Sequence, residues 1–162
     1  MEQLQTAMET GSRRYFDDQM PQAMPAACEQ VAAFIQTLDV DLSRAAIGGF
    51  SQGAMVSGHA VLAANIKPGL LIQLSSTLVG HGLLDASKLT KPPVFQSHGR
   101  NDSVLPFDGS TALRDWFLSQ DIPTRFIEFL GGHEIPSQVI SALRDETLAK
   151  TKSKLDQGTI SL

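Results

Sequence analysis

A single cysteine, Cys28, leaves no partner for an internal disulfide, which suits a reducing compartment and makes a cytoplasmic location the expectation. Long apolar runs are missing as well. No segment approaches the ~20 residues that a membrane-spanning helix needs, and Met1-Glu2-Gln3-Leu4-Gln5 lacks the basic start and apolar stretch of a secretory signal. Positive charge is in deficit: 13 Lys and Arg stand against 17 Asp and Glu, a formal net charge of −4. No polybasic run relieves this, so nucleic acid and anionic lipid find no electrostatic footprint. None of the 4 histidines falls in H-E-x-x-H or a comparable ligand spacing, and one thiol cannot make a thiolate metal site. Cys28 lies in a predicted helix with no histidine near it in sequence, and reads as a small apolar residue.

What is present describes an ordinary globule, with 42% hydrophobic and 19% charged residues. A length of 162 residues corresponds to one domain, 1–162, able to bury roughly 70% of its unfolded surface. There is no internal repeat and no linker.

The stretch Ile47-Gly48-Gly49-Phe50-Ser51-Gln52-Gly53 carries the pattern G-x-S-x-G. Ala45-Ala46-Ile47 before it looks like a buried strand, and residues 54–64 after it have helical composition. Strand, sharp turn, helix is the context in which a serine is held as a nucleophile at strained backbone angles, with small residues required two positions before and after it. The helix start directs free N–H groups and a positive dipole end toward the serine, which favours an oxyanion. The alternative is a glycine-rich turn in a parallel sheet, with Ser51 as a helix N-cap. A phosphate loop is excluded, because no Lys-Ser or Lys-Thr follows the glycines.

Along the chain, residues 1–10 suggest a short helix and residues 12–20 a loop. Residues 26–38 form a helix after Pro21 and Pro25, with Ala27, Val31, Phe34, Ile35 and Leu38 on its inner face. Residues 69–74 are a near-continuous apolar strand. Residues 93–98 and 124–130 are two more strands, separated by a helix at 109–120, and a helix at 135–148 places Val139, Ile140 and Leu143 inward. Residues 147–162 are polar and expected to fray. Four alternations of strand and helix predict an α/β fold with a parallel sheet and right-handed crossovers. The two late strands run into His98-Gly99-Arg100-Asn101-Asp102-Ser103-Val104-Leu105-Pro106 and Gly131-Gly132-His133-Glu134-Ile135-Pro136. Both loops open at the carboxyl ends of strands, where ligands bind in such sheets.

Taken together and in this order, the three segments resemble the phospholipase/carboxylesterase family of α/β-hydrolases, which includes acyl-protein thioesterases. The resemblance runs from about Pro25 onward. It implies a three-layer α/β-hydrolase fold with a mostly parallel sheet, and a serine carboxylesterase that cleaves carboxylic esters or thioesters through an acyl-serine intermediate. Ser51 would be the nucleophile, Asp102 the orienting acid, His133 the general base and Gln52 the donor of one oxyanion N–H. No cofactor is needed, and the partner is a small-molecule acyl ester or thioester. Leu78, Val79 and Leu105 are candidate acyl-chain contacts; the alternative is that these apolar side chains cover the sheet.

The residues themselves favour the same three. His59 lies two turns into the helix, His81 precedes the acid loop and His98 ends a strand, where a structural hydrogen bond is expected; His133 has a Gly-Gly approach after the last strand. Asp102 follows a buried strand closely enough to be held against the imidazole, whereas Asp108 reads as an N-cap and Glu134 as a first-turn helix charge.

The sequence departs from the family at its start. The family's first strands, and the His-Gly turn that completes its oxyanion hole, have no counterpart before Pro21, so the sequence reads as a fragment or as starting from an internal methionine. Two expectations follow. The oxyanion hole keeps one donor of two, and the Ser51 strand, with Ala45, Ala46 and Ile47, becomes a sheet edge through which a homodimer could form. A catalytically impaired ligand-binding protein on the same scaffold, or a lysophospholipase or acyl-protein thioesterase, are the alternative functions.

Overall fold

The computed structural model describes the backbone of residues 20–158 and the side chains of residues 24–149. The helix expected at 1–10 and most of the loop expected at 12–20 lie outside them. The element order is α1 (Met20–Gln36), β1 (Ala46–Phe50), α2 (Gln52–Ala63), β2 (Leu70–Leu74), β3 (Val94–Gly99), α3 (Phe107–Ser119), β4 (Thr124–Phe129) and α4 (Ser137–Gly158). Short 3-10 turns occupy Leu42–Arg44 and His81–Leu83.

The four strands lie in the order β1-β2-β3-β4, and every pairing is parallel. Side chains alternate faces along each strand, and the apolar ones divide accordingly. Leu71 and Val94 join Met24, Cys28, Ala32, Ile35, Met55, Val61, Leu113 and Phe117 in a core shared with α1, α2 and α3. Leu70, Leu74, Phe95 and Phe129 form a second core with Val139 of α4. The result is a three-layer α/β sandwich, as the sequence pattern predicts. Two glutamines on the first face are buried without loss of hydrogen bonding by their amide nitrogens: Gln73 Nε2 donates to the Ala54 carbonyl at 2.9 Å and Gln96 Nε2 to the Ser110 carbonyl at 2.8 Å.

The strand ladder continues one residue past the carboxyl ends, and this aligns the loops. Ser51 N–H donates to the Leu74 carbonyl at 2.9 Å, Ser75 N–H to Ser97 at 2.9 Å and Arg100 N–H to Phe129 at 2.8 Å. Residues that are far apart in sequence therefore leave the sheet along one rim.

Three expectations need correction. Helix α1 begins at Met20 and takes in Pro21 and Pro25, and its inner stripe is Met24, Cys28, Ala32 and Ile35. Phe34 and Leu38 are 65% and 42% exposed. Small Cys28 and Ala32 let α1 approach α2, and the Cys28 thiol donates to the Val56 carbonyl at 3.6 Å; Phe34 would hold the helices apart. Helix α4 runs to Gly158 rather than stopping at 148, with Val139 buried and Ile140 58% exposed. Among the described residues no helix is long and apolar enough to cross a membrane.

Candidate active site

Ser51 joins β1 to α2 at φ 55° and ψ −127°, a region that non-glycine residues rarely occupy and that costs on the order of 1–3 kcal/mol. Ser51 occupies the N-cap position of α2, but its side chain makes no capping bond to the helix and is free to face His133. The conformation is held by the backbone instead: Ser51 N–H reaches Leu74, and the Ser51 carbonyl accepts from Ala54 N–H at 3.0 Å and Met55 N–H at 3.2 Å. A Cβ on Gly49 would lie 2.5 Å from the Gly53 carbonyl carbon, so the strand can pass the helix only as glycine. Gly53 differs from expectation. A Cβ there meets nothing within 4 Å, and the small residue expected after the serine is not sterically required. Gln52 is the first residue of α2, where an N–H has no carbonyl one turn back to bond.

Asp102 and His133 arrive from the loops after β3 and β4. Asp102 turns back on its own loop: Oδ1 accepts from Val104 N–H at 2.9 Å and Leu105 N–H at 2.8 Å. Its other oxygen, Oδ2, lies 2.7 Å from His133 Nδ1, and His133 Nε2 lies 2.9 Å from Ser51 Oγ. A carboxylate can only accept, so Nδ1 carries the ring proton and Nε2 is left to take one from the serine. The imidazole also packs on Phe50, with ring centroids 4.7 Å apart. Gly99 matters to this approach, because a Cβ on it would collide with the carbonyls of Gly131 and Gly132. Glu134 is exposed, lies ahead of α4 and not in its first turn, and accepts from Gly132 N–H at 3.3 Å.

The profile of the phospholipase/carboxylesterase family matches residues 3–149. The chain belongs to that family. Among its relatives, acyl-protein thioesterase 1 of Eremothecium gossypii is 35% identical over 118 residues, covering 68% of this chain and 47% of that protein. Acyl-protein thioesterase 1 of Neurospora crassa is 31% identical over 128 residues, covering 73% and 52%. The chain thus spans about half the length of the curated relatives it matches. The crystal structure of Arabidopsis thaliana SOBER1 superposes with a TM-score of 0.71 at 19% identity, covering 80% of this chain and 65% of that one. This last likeness shows the shared fold.

The other candidate residues of this family member separate from the rim. Val79 and Leu105 are buried in the core with α1, α2 and α3, and Leu78 is partly buried against it; Leu78 and Val79 also line a small hollow with His59, Gln73 and Trp116. Asp108 sits inside the first turn of α3, whose N-cap is Pro106. His59 Nε2 lies 2.6 Å from the Val79 carbonyl, and burial pushes its pKa below the ordinary 6.5. Burial likewise raises the Cys28 thiol to about 11. A cavity of about 370 Å³ opens between α1, α2 and the 3-10 turn, lined by Met24, Cys28, Ala32, His59, Leu83 and Leu84; Ser51, Asp102 and His133 do not border it. Among the described residues no group of His, Cys, Asp and Glu is arranged to hold a metal ion.

Sequence reasoning missed a second imidazole in the site. His98 is fully buried, and its Nε2 lies 2.8 Å from the Leu105 carbonyl and 3.2 Å from Asp102 Oδ2. The expected structural bond at the end of β3 is the first of these. The four-residue spacing of His98 and Asp102 across the strand end allows the second contact but does not show which way either side chain faces.

Proposed function

We propose that this chain is a serine hydrolase that cleaves carboxylic esters or thioesters through an acyl-serine intermediate. The observation that carries the reading is the unbroken line from Ser51 Oγ through His133 to Asp102, at 2.9 Å and 2.7 Å. In the first half-reaction Ser51 Oγ attacks the acyl carbon while its proton passes to His133 Nε2. Asp102, paired with Nδ1, stabilises the imidazolium that results. The negative charge on the former carbonyl oxygen meets the Gln52 N–H at the start of α2, where the helix dipole adds to it. Collapse expels the alcohol or thiol, which takes the proton from His133. Water, deprotonated by the same imidazole, then releases the acid and restores Ser51. No cofactor enters these steps. The names of the relatives make acyl thioesters the first substrates to try. We place the protein in the cytoplasm, a setting that its free, buried Cys28 supports.

The test is modification by a fluorophosphonate together with turnover of a short p-nitrophenyl ester. The wild-type chain should be labelled at Ser51, and Ser51→Ala and His133→Ala should each lose turnover by about 10³-fold or more. Equal labelling of the Ser51→Ala variant would sink the assignment. A ligand-binding protein on the same scaffold is the alternative, and under that reading His133→Ala leaves the slow background turnover unchanged.

A further inference from the structure

We propose that His98 is a positioning residue for Asp102: its ring, hydrogen-bonded to the Leu105 carbonyl, sets Nε2 3.2 Å from the same carboxylate oxygen that orients His133. The role rests on the reading of Asp102 as the orienting acid. Three observations lead to it. First, both oxygens near His98 Nε2, the Leu105 carbonyl at 2.8 Å and Asp102 Oδ2 at 3.2 Å, only accept, so Nε2 must carry a proton. His98 Nδ1 has no hydrogen-bond partner. Secondly, the Asp102 side chain has no exposure to solvent, and a buried carboxylate is tolerated only where hydrogen bonds replace water. Here three donors do so, Val104 and Leu105 N–H on Oδ1 and the His133 ring on Oδ2, and the His98 ring covers Oδ2 from a second side at 3.2 Å. Thirdly, His98 and Asp102 clasp one residue from both sides, the ring donating to the Leu105 carbonyl and the carboxylate accepting from the Leu105 N–H. The loop cannot shift without breaking both.

The consequence is geometric: a carboxylate confined on both sides holds the His133 ring in line with Ser51. The groups facing His98 are Asp102 and the Leu105 carbonyl of its own loop, the Ser76 backbone after β2, His133 after β4 and the Phe107 ring of α3, edge-on at 6.1 Å. Around His133 stand Asp102, His98, Ser51 and the neighbouring Glu134. Burial dominates at His98 and lowers its pKa, so it acts as a neutral donor.

The experiment is the proton NMR signal of His133 Nδ1–H, the proton that bonds Asp102 Oδ2, in the wild type, His98→Phe and His98→Gln, followed by kcat and KM for the p-nitrophenyl ester. Phenylalanine fills the space without a donor, whereas the glutamine amide can return one near the Nε2 position. His98→Phe should shift or broaden that signal and lower kcat roughly 10-fold with little change in KM, and His98→Gln should recover most of both. If the phenylalanine variant does not fold, His98→Met carries the same comparison. An unmoved signal in a folded variant overturns the proposal, and so does equal behaviour of the phenylalanine and glutamine variants. Because the spectrum needs no turnover, a chain that hydrolyses nothing yet shows the change retains the His98 coupling and loses the hydrolase reading. Labelling of Ser51 without the change does the reverse.

Discussion

The two glycines that flank Ser51 in the motif have unequal work to do. Gly49 lies against the Gly53 carbonyl, so Gly49→Ala must push β1 and α2 apart just where Ser51 is strained. A loss of about 2 kcal/mol or more in urea unfolding is expected, together with loss of fluorophosphonate labelling. Gly53 sits in the first turn of α2 with open space around its missing Cβ and no positive φ. Gly53→Ala should be neutral or stabilise by up to about 1 kcal/mol; a destabilisation like that of Gly49→Ala would show that the open space is not real. Ser51, Asp102 and His133 were legible in the sequence because glycines and strand ends mark where chains turn. His98 and Leu105 stand on the same marked loop, but whether they face inward depends on which layer crosses above them. That is not a local property, and so the reach of His98 to Asp102 and the full burial of Leu105 stayed hidden.

At the scale of the element, periodicity found all four strands and four helices within the described residues, and it failed at helix ends. Pro21 and Pro25 read as a barrier before Ala26, yet α1 starts at Met20 and passes through both. Near an amino terminus the N–H that proline lacks has few partners to lose. Pro25 removes one bond, the one to the Pro21 carbonyl, and its ring crowds that oxygen. Pro25 is exposed, at the mouth of the cavity between α1 and α2. Replacing it by alanine should therefore restore a helical bond without opening the core. The gain is expected to be about 1 kcal/mol, less than the mid-helix figure, because alanine also frees the unfolded chain. Thermal unfolding should show it as a rise of roughly 2–4 °C, and a fall would mean that the ring packs against something the helix needs. The inner face of α1 was misassigned for a related reason. Several stripes fit its pattern, and the one chosen in the fold uses cysteine and alanine because they allow close packing, which hydrophobicity alone does not reveal.

For the molecule as a whole, two histidines, His98 fully buried and His59 partly so, shape the response to acid. Burial lowers the pKa of both His59 and His98 from 6.5, so the folded chain binds fewer protons than the unfolded one below that pH. Stability therefore rises with pH through this window; it is fully present above about pH 6.5 and is lost as pH falls toward the folded values. The thermal midpoint should drop between about pH 6.5 and pH 5, and His59→Gln should flatten the slope; a slope unchanged by that variant would exclude His59 from it. The sheet makes a second claim at this scale. Among the described residues β1 has no strand on its outer side, and its sequence Ala-Ile-Gly-Gly-Phe offers no charge, proline or bulge to deter pairing. Val40, just ahead of it, is 56% exposed. A homodimer formed by β1 pairing across a two-fold axis would satisfy the free backbone groups at little cost, since the edge is already extended. Ala46 is exposed and points away from the α1–α3 core, because its register partner Leu70 belongs to the α4 face. Lysine at that position should leave the fold intact and place a charge on the edge. Light scattering on this chain should show mass rising with concentration for the wild type and a constant monomer for Ala46→Lys. A wild type that stays monomeric throughout would mean that the edge is protected by contacts other than strand pairing.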